Sequence, residues 1–205
     1  MENRAFSARA ITYLAVLTAL AVVLQTFASQ IQIVPGVTLN LALVPIVLGA
    51  LLLGPLYGAF LGFISGAVVL IQVITGVGGL FYIMFGTNPV MISLVCLVKT
   101  TAAGAAAGFI YKALSDKNVY LATFLAAAAV PVVNTGVFVL GMLIMSSPLK
   151  HAAAQVGLPF AEGQSAFNFI VAVLITWNFF IELGVNLVVA PGIAQVVKIA
   201  EKRKY

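Results

Sequence analysis

Along most of the chain, apolar residues follow one another without alternation, and polar residues collect in short breaks between the runs. Unbroken runs predict helices rather than barrel strands, which alternate and are only ~10 residues long. A helix crossing a hydrocarbon core needs about 20 mostly apolar residues. Six such helices are expected, over about 8–29, 39–54, 55–75, 89–114, 119–145 and 166–198. The break at Gly54-Pro55 separates the second from the third, because proline suits the first turn of a helix, where its missing N–H is not needed. These two are short for spans and must be joined by a tight turn. The expected fold class is an all-α integral membrane protein, one membrane domain over residues 1–205.

The breaks on one face are long. Residues 30–40 hold Pro35-Gly36 and an alternating Ile31 and Ile33, which reads as an extended segment and a turn. Residues 76–88 place Gly76, Gly78, Gly79 and Gly86 around Leu80-Phe81-Tyr82. Residues 146–165 offer Ser147 as a helix N-cap, Pro148 at the first position and Gly157 as a stop, so a short helix is expected there. Glycine-hinged aromatic loops on one face are what a lid over a cavity needs. Ordinary connecting loops are the plain alternative.

Composition narrows the class. Hydrophobic residues make up 63% of the chain and charged residues 7%, against roughly 25% charged in a soluble domain. A water-facing surface cannot be built from that supply. Disorder requires the opposite balance, and a lone Cys96 excludes a disulfide scaffold. The net charge of +5 does not indicate nucleic acid, because the basic residues are not grouped on one surface. They mark topology instead. Arg4, Arg9, Lys112, Lys117, Lys198, Lys202, Arg203 and Lys204 fall on the side of the termini, and only Lys150 on the other. The positive-inside rule therefore predicts cytoplasmic termini. The first helix is too long for a cleaved signal peptide.

Polar groups within a span are costly unless they meet a partner or water. Asn178, Glu182 and Asn186 recur at four-residue spacing and share a helical face, with Trp177 and Phe179 beside the first. Asn134 follows Pro131, Asn40 and Asn88 open the second and fourth helices, and Gln25 and Gln72 lie near the loop ends of the first and third. Lys99 is the lone charge of the fourth helix, about 18 Å from its cytoplasmic end at ~1.5 Å per residue. Glu182 lies roughly 24 Å from the end of the sixth, so the two charges are expected to interact. Either they form a structural ion pair or they line a cavity. The candidate substrate-binding set is Asn40, Tyr82, Asn88, Lys99, Asn134, Trp177, Asn178, Glu182 and Asn186, with aromatic Phe81 and Phe85 near the mouth.

Small residues form a second pattern. Gly58, Gly62 and Gly66 on the third helix and the run Ala102 to Gly108 on the fourth allow close helix approach, and internal packing is expected there. Ala15 and Ala19 on the first helix could instead dock a partner subunit. Catalytic sets are missing. There is one histidine, His151, and the remaining carboxylates Glu2, Asp116, Glu162 and Glu201 are scattered in loops and termini. No metal site, cofactor or Walker A sequence is visible, so the chain is not expected to be an enzyme. Energy must come from an ion gradient, with Glu182 as the proton site of a stand-alone carrier, or from a partner.

Asn40-Leu41-Ala42-Leu43-Val44-Pro45 through Leu53-Gly54-Pro55-Leu56-Tyr57-Gly58, with Asn88-Pro89, Asn134-Thr135-Gly136-Val137-Phe138, and Asn178-Phe179-Phe180-Ile181-Glu182 through Ala190-Pro191, resembles the S components of energy-coupling factor (ECF) transporters. The resemblance covers nearly the whole chain. It implies a vitamin-binding membrane subunit of a prokaryotic cell, with a pocket on the outer side beneath the connecting loops. It implies a transmembrane coupling protein and two ATPases as partners. The family's Ala-x-x-x-Ala docking motif maps onto Ala15 and Ala19. The style is nearer to pantothenate and folate members, with Lys99 or Lys150 facing a carboxylate. A metal-specific member would carry N-terminal histidines, and here there are none.

Overall fold

The computed structural model describes residues 8–34, 37–77 and 79–202. Glu2, Arg4, Pro35-Gly36, Gly78, Arg203 and Lys204 lie outside the described residues, as do the side chains of Ile33, Glu201 and Lys202. Helix α1 covers Ala8–Ala28. A short antiparallel hairpin follows, β1 Gln32–Val34 and β2 Val37–Thr38. Then come α2 Leu43–Leu53, α3 Pro55–Ile74, α4 Gly79–Thr87, α5 Pro89–Leu114, α6 Val119–Ile144 and α7 Ser146–Gln155. The last helical rod has three parts: α8 Ala166–Phe169, a π-helical stretch Ile170–Ile175, and α9 Thr176–Lys202.

Local chemistry sets these boundaries. Asn88 Oδ1 accepts from the Met91 N–H at 3.1 Å, and Pro89 takes the first position of α5. Asn118 does the same for α6 through the Leu121 N–H at 3.0 Å. Each side chain satisfies one of the donors that a helix start leaves open. Gly157, at φ +76°, ends α7 in the left-handed region as expected. That helix begins at Ser146 after Met145, without a side-chain cap, so Ser147 is not its N-cap.

Five helices, α1, α3, α5, α6 and α9, are long and apolar enough to cross a membrane. The second expected span differs: α2 has 11 residues and is therefore about 16 Å long, half a hydrocarbon core. Its apolar run does begin near Leu39, but residues 39–42 form the turn that ties the hairpin into the bundle. The helix is central rather than peripheral, packing on α1, α3, α5, α6 and α9. Leu43, Ile46 and Val47 are fully buried within it. Another difference is α4, which occupies the glycine-rich segment read as a loop. Leu80 and Met84, one turn apart, are both fully buried, and that apolar stripe outweighs the helix-weakening glycines at its ends.

The α3–α5 contact is made backbone to backbone. A Cβ on Gly58 would meet the Gly104 carbonyl at 2.5 Å, one on Gly66 the Cys96 carbonyl at 2.5 Å, and one on Gly62 would overlap the Thr100 carbonyl. Glycine spacing therefore serves internal packing here, as expected. Gly62→Leu should abolish the properly folded fraction. Overpacking costs typically 1–3 kcal/mol even where side chains can move, and here the obstacle is main chain. Size-exclusion chromatography of the detergent-solubilised protein checks this; a monodisperse wild-type-like peak would contradict the close approach.

Two apolar cores are stacked along the bundle. One contains Ala103, Ala107, Ala122, Ala126, Val130, Ala190 and Val197. The other contains Ile92, Val95, Phe138, Met142, Phe169 and Leu174. On α5, α6 and α9 alike, the polar positions fall in the interval between them: Lys99, then Asn134, then Asn178, Glu182 and Asn186.

Candidate functional site

That interval contains a small, partly open cavity of about 60 Å³. This is well below the roughly 300–1,000 Å³ common for small-molecule sites, so a vitamin-sized ligand needs the walls or the covering loops to move apart. Lys99 of α5, Asn134 and Thr135 of α6, and Asn178 and Glu182 of α9 supply polar walls. Phe138, Phe179, Leu174 and Ile175 supply apolar ones. Thr38 of the hairpin and Phe81 of α4 close the side next to the loops. Lys99 stands 10 residues into α5, counting from Pro89, so the cavity floor is about 15 Å from that helix end.

Among the described residues, Glu182 is the one carboxylate in the wall and Lys99 the one cation. They face a common cavity and interact through space, but the expected direct ion pair is not what holds them. Oε1 of Glu182 accepts from the Asn40 backbone N–H at 2.9 Å. This bond fastens the end of the hairpin to α9. The Lys99 ammonium instead lies 5.5 Å from the centre of the Phe138 ring. Phe138 in turn meets Phe81 edge to face, with 5.6 Å between centroids. The Asn40 N–H reaches Glu182 because the residues entering α2 are delivered directly against α9.

The amides are buried and incompletely bonded. Asn134 and Asn178 are 5% and 8% exposed, and Oδ1 of each lacks a partner. Asn186 is one turn deeper than Glu182; its Nδ2 donates to the Glu182 carbonyl at 2.8 Å, and its Oδ1 is unpartnered. Asn40 also has both side-chain polar atoms buried without partners. Its side chain does not cap α2. Buried polar groups are normally bonded, so this concentration of unmet groups in one layer marks a place built for something polar.

Of the expected substrate-binding set, Lys99, Asn134, Asn178 and Glu182 come together in the wall. Asn40 and Asn186 stand immediately behind Glu182. Three residues are elsewhere. Asn88 is engaged in capping α5. Tyr82 is 52% exposed and Trp177 67% exposed; each neighbours a wall residue in sequence, and a one-residue step turns a helix by about 100°. Phe81 and Asn178 occupy the inward positions instead. Phe138 was missing from the expected set although its four-residue spacing from Asn134 places both on one helical face. Nothing in the sequence marks Thr38, Leu174 or Ile175.

Ala15 and Ala19 are exposed on α1, whereas Leu17 and Ala21 turn into the bundle. Only 17% of the α1 span is buried, against 33–39% for the other long helices. His151 lies with Ser147, Gln155 and Thr87 in a groove between α4 and α7, away from the cavity. Among the described residues, no group of His, Cys, Asp and Glu side chains is arranged to hold a metal ion.

The molecule is thus a multi-pass helical membrane protein with a polar cavity between two apolar cores. Residues 9–194 match the family model described as the ECF transporter substrate-specific component. No curated protein and no solved structure matches the chain. The chain belongs to the ECF transporter substrate-specific component family, and is a substrate-binding transport subunit rather than an enzyme.

Proposed function

We propose that this subunit captures a water-soluble vitamin of the pantothenate or folate type from outside a prokaryotic cell. The carrying observation is the cavity shared by Lys99, Asn134, Asn178 and Glu182 beneath the hairpin and α4. The whole chain acts as one membrane domain of six crossings, the second made by residues 39–54 with α2 at its centre, and with both termini in the cytoplasm. Arg9, Lys112, Lys117 and Lys198 at one end of the bundle, against Lys150 at the other, support that orientation. A transmembrane coupling protein and two ATPases supply the nucleotide hydrolysis. The exposed Ala15–Ala19 face is the docking surface for the coupling protein.

Native mass spectrometry of the protein purified from its host should reveal a co-purified vitamin-sized ligand, and the emptied protein should rebind it without nucleotide. Ligand uptake in vesicles that follows a pH gradient and needs no ATPase partner would instead establish a proton-coupled carrier built on Glu182.

A further inference from the structure

The cavity wall has an uneven supply of charge and hydrogen-bonding groups. Lys99 carries three donors and no acceptor, and its described neighbour is the face of Phe138. A ring face attracts the cation but does not take up its N–H donors, and Lys99 is half-buried at the cavity wall. The nearby carboxylate is not in direct contact; its described hydrogen bond is to the Asn40 N–H. Asn134, Asn178 and Glu182 line the same space from the other walls. Oδ1 of Asn134 and Oδ1 of Asn178 are buried without a partner, and a carboxylate such as Glu182 has room for several donors on its two oxygens. Asn178 and Glu182 are one turn apart, about 6 Å along the helix. Lys150, the other candidate for an anion, is exposed on α7 and does not line the cavity.

We infer that the ligand is bipolar: a single carboxylate set against Lys99, and a body bearing N–H donors about 6 Å apart that meet Asn134, Asn178 and Glu182. This rests on the cavity being the substrate site. Among the described residues, one lysine and one glutamate leave the wall neutral, so the ligand's carboxylate belongs on Lys99 and its N–H donors on Glu182, which keeps the two negative groups apart. A phosphate dianion would add two negative charges, with no arginine or second lysine among the described wall residues to offset the second. The ligand carboxylate draws the ammonium from the Phe138 face, freeing that ring to pack on the ligand body.

The test is thermal unfolding of the detergent-purified protein with a panel of probes. Pantothenate, biotin and nicotinate carry one carboxylate; folate carries two, and its binding in preference to these would overturn the single-carboxylate inference; nicotinamide, pyridoxine and riboflavin are neutral; thiamine is a cation. A carboxylate with N–H or amide donors should stabilise the protein. Its methyl ester should bind at least tenfold more weakly. Lys99→Met should weaken the acid by a similar factor while leaving the ester's affinity unchanged. Stabilisation by a neutral or cationic probe would overturn the inference while leaving the transport reading in place. So would failure of every carboxylate, or equal binding of acid and ester. The ester comparison uses the wild-type chain, so it decides the matter even if Lys99→Met fails to fold.

Discussion

Glu182→Ala should weaken ligand binding at least a hundredfold, about 2.7 kcal/mol, measured by calorimetric titration in detergent. Two losses combine. The cavity loses its one carboxylate, and the Asn40 N–H loses its acceptor. A buried donor left unmet costs about 1–3 kcal/mol, and here the cost falls on the segment that carries the hairpin over the cavity. Glu182→Gln separates the two, because an amide oxygen can still accept from Asn40 while the charge is gone. It should retain a folded hairpin and lose about tenfold in affinity, about 1.4 kcal/mol. Asn134→Ala and Asn178→Ala should each cost about the same. A Glu182→Ala titration indistinguishable from wild type would remove the cavity from substrate binding.

The polar layer was legible because helix periodicity is a strong signal in a chain with so few polar residues. Asn178, Glu182 and Asn186 could only share a face, and Asn134 and Lys99 stood alone in apolar runs. The ends of α5 and α6 were legible for the same kind of reason: Asn88-Pro89 and Asn118 are side chains that start helices by local bonding. What could not be read depends on contacts between distant segments. No pattern announces that the main-chain N–H of Asn40 reaches Glu182 across 142 positions. That one bond ties the segment leading into α2 to α9.

The π-helical stretch Ile170–Ile175 is a different case. Its sequence is apolar and β-branched, indistinguishable from any span, yet it lies directly before Asn178. A π turn takes more residues per turn than an α turn, so it changes the rotation between α8, which buries Phe169, and α9, which carries the wall residues. Leu174 and Ile175 enter the wall from within this stretch. The outward place of Trp177 and the inward place of Asn178 have one origin: a one-residue step on a helix separates the cavity from the surface. In α4 the missed signal was present, since Leu80 and Met84 repeat at helical spacing, but the flanking glycines dominated the reading.

Ala15→Trp combined with Ala19→Trp should reduce ligand uptake in cells to background while leaving affinity unchanged in the purified subunit. The two alanines are one turn apart on α1 and both exposed. Leu17 and Ala21, which anchor α1 to the bundle, point inward. Two indoles added on the outer face therefore displace nothing in either core. They are not tolerated where another helix must come close, because small residues are what permit such an approach. Around them the α1 surface is apolar, with Val16 60%, Val23 58% and Phe27 74% exposed, which suits contact with a membrane-embedded partner and does not by itself distinguish that partner from lipid. The paired measurement does. Binding retained with uptake lost places the coupling contact on this face; uptake retained assigns the face to lipid alone, and joint loss with the fold intact shows that α1 shapes the cavity itself.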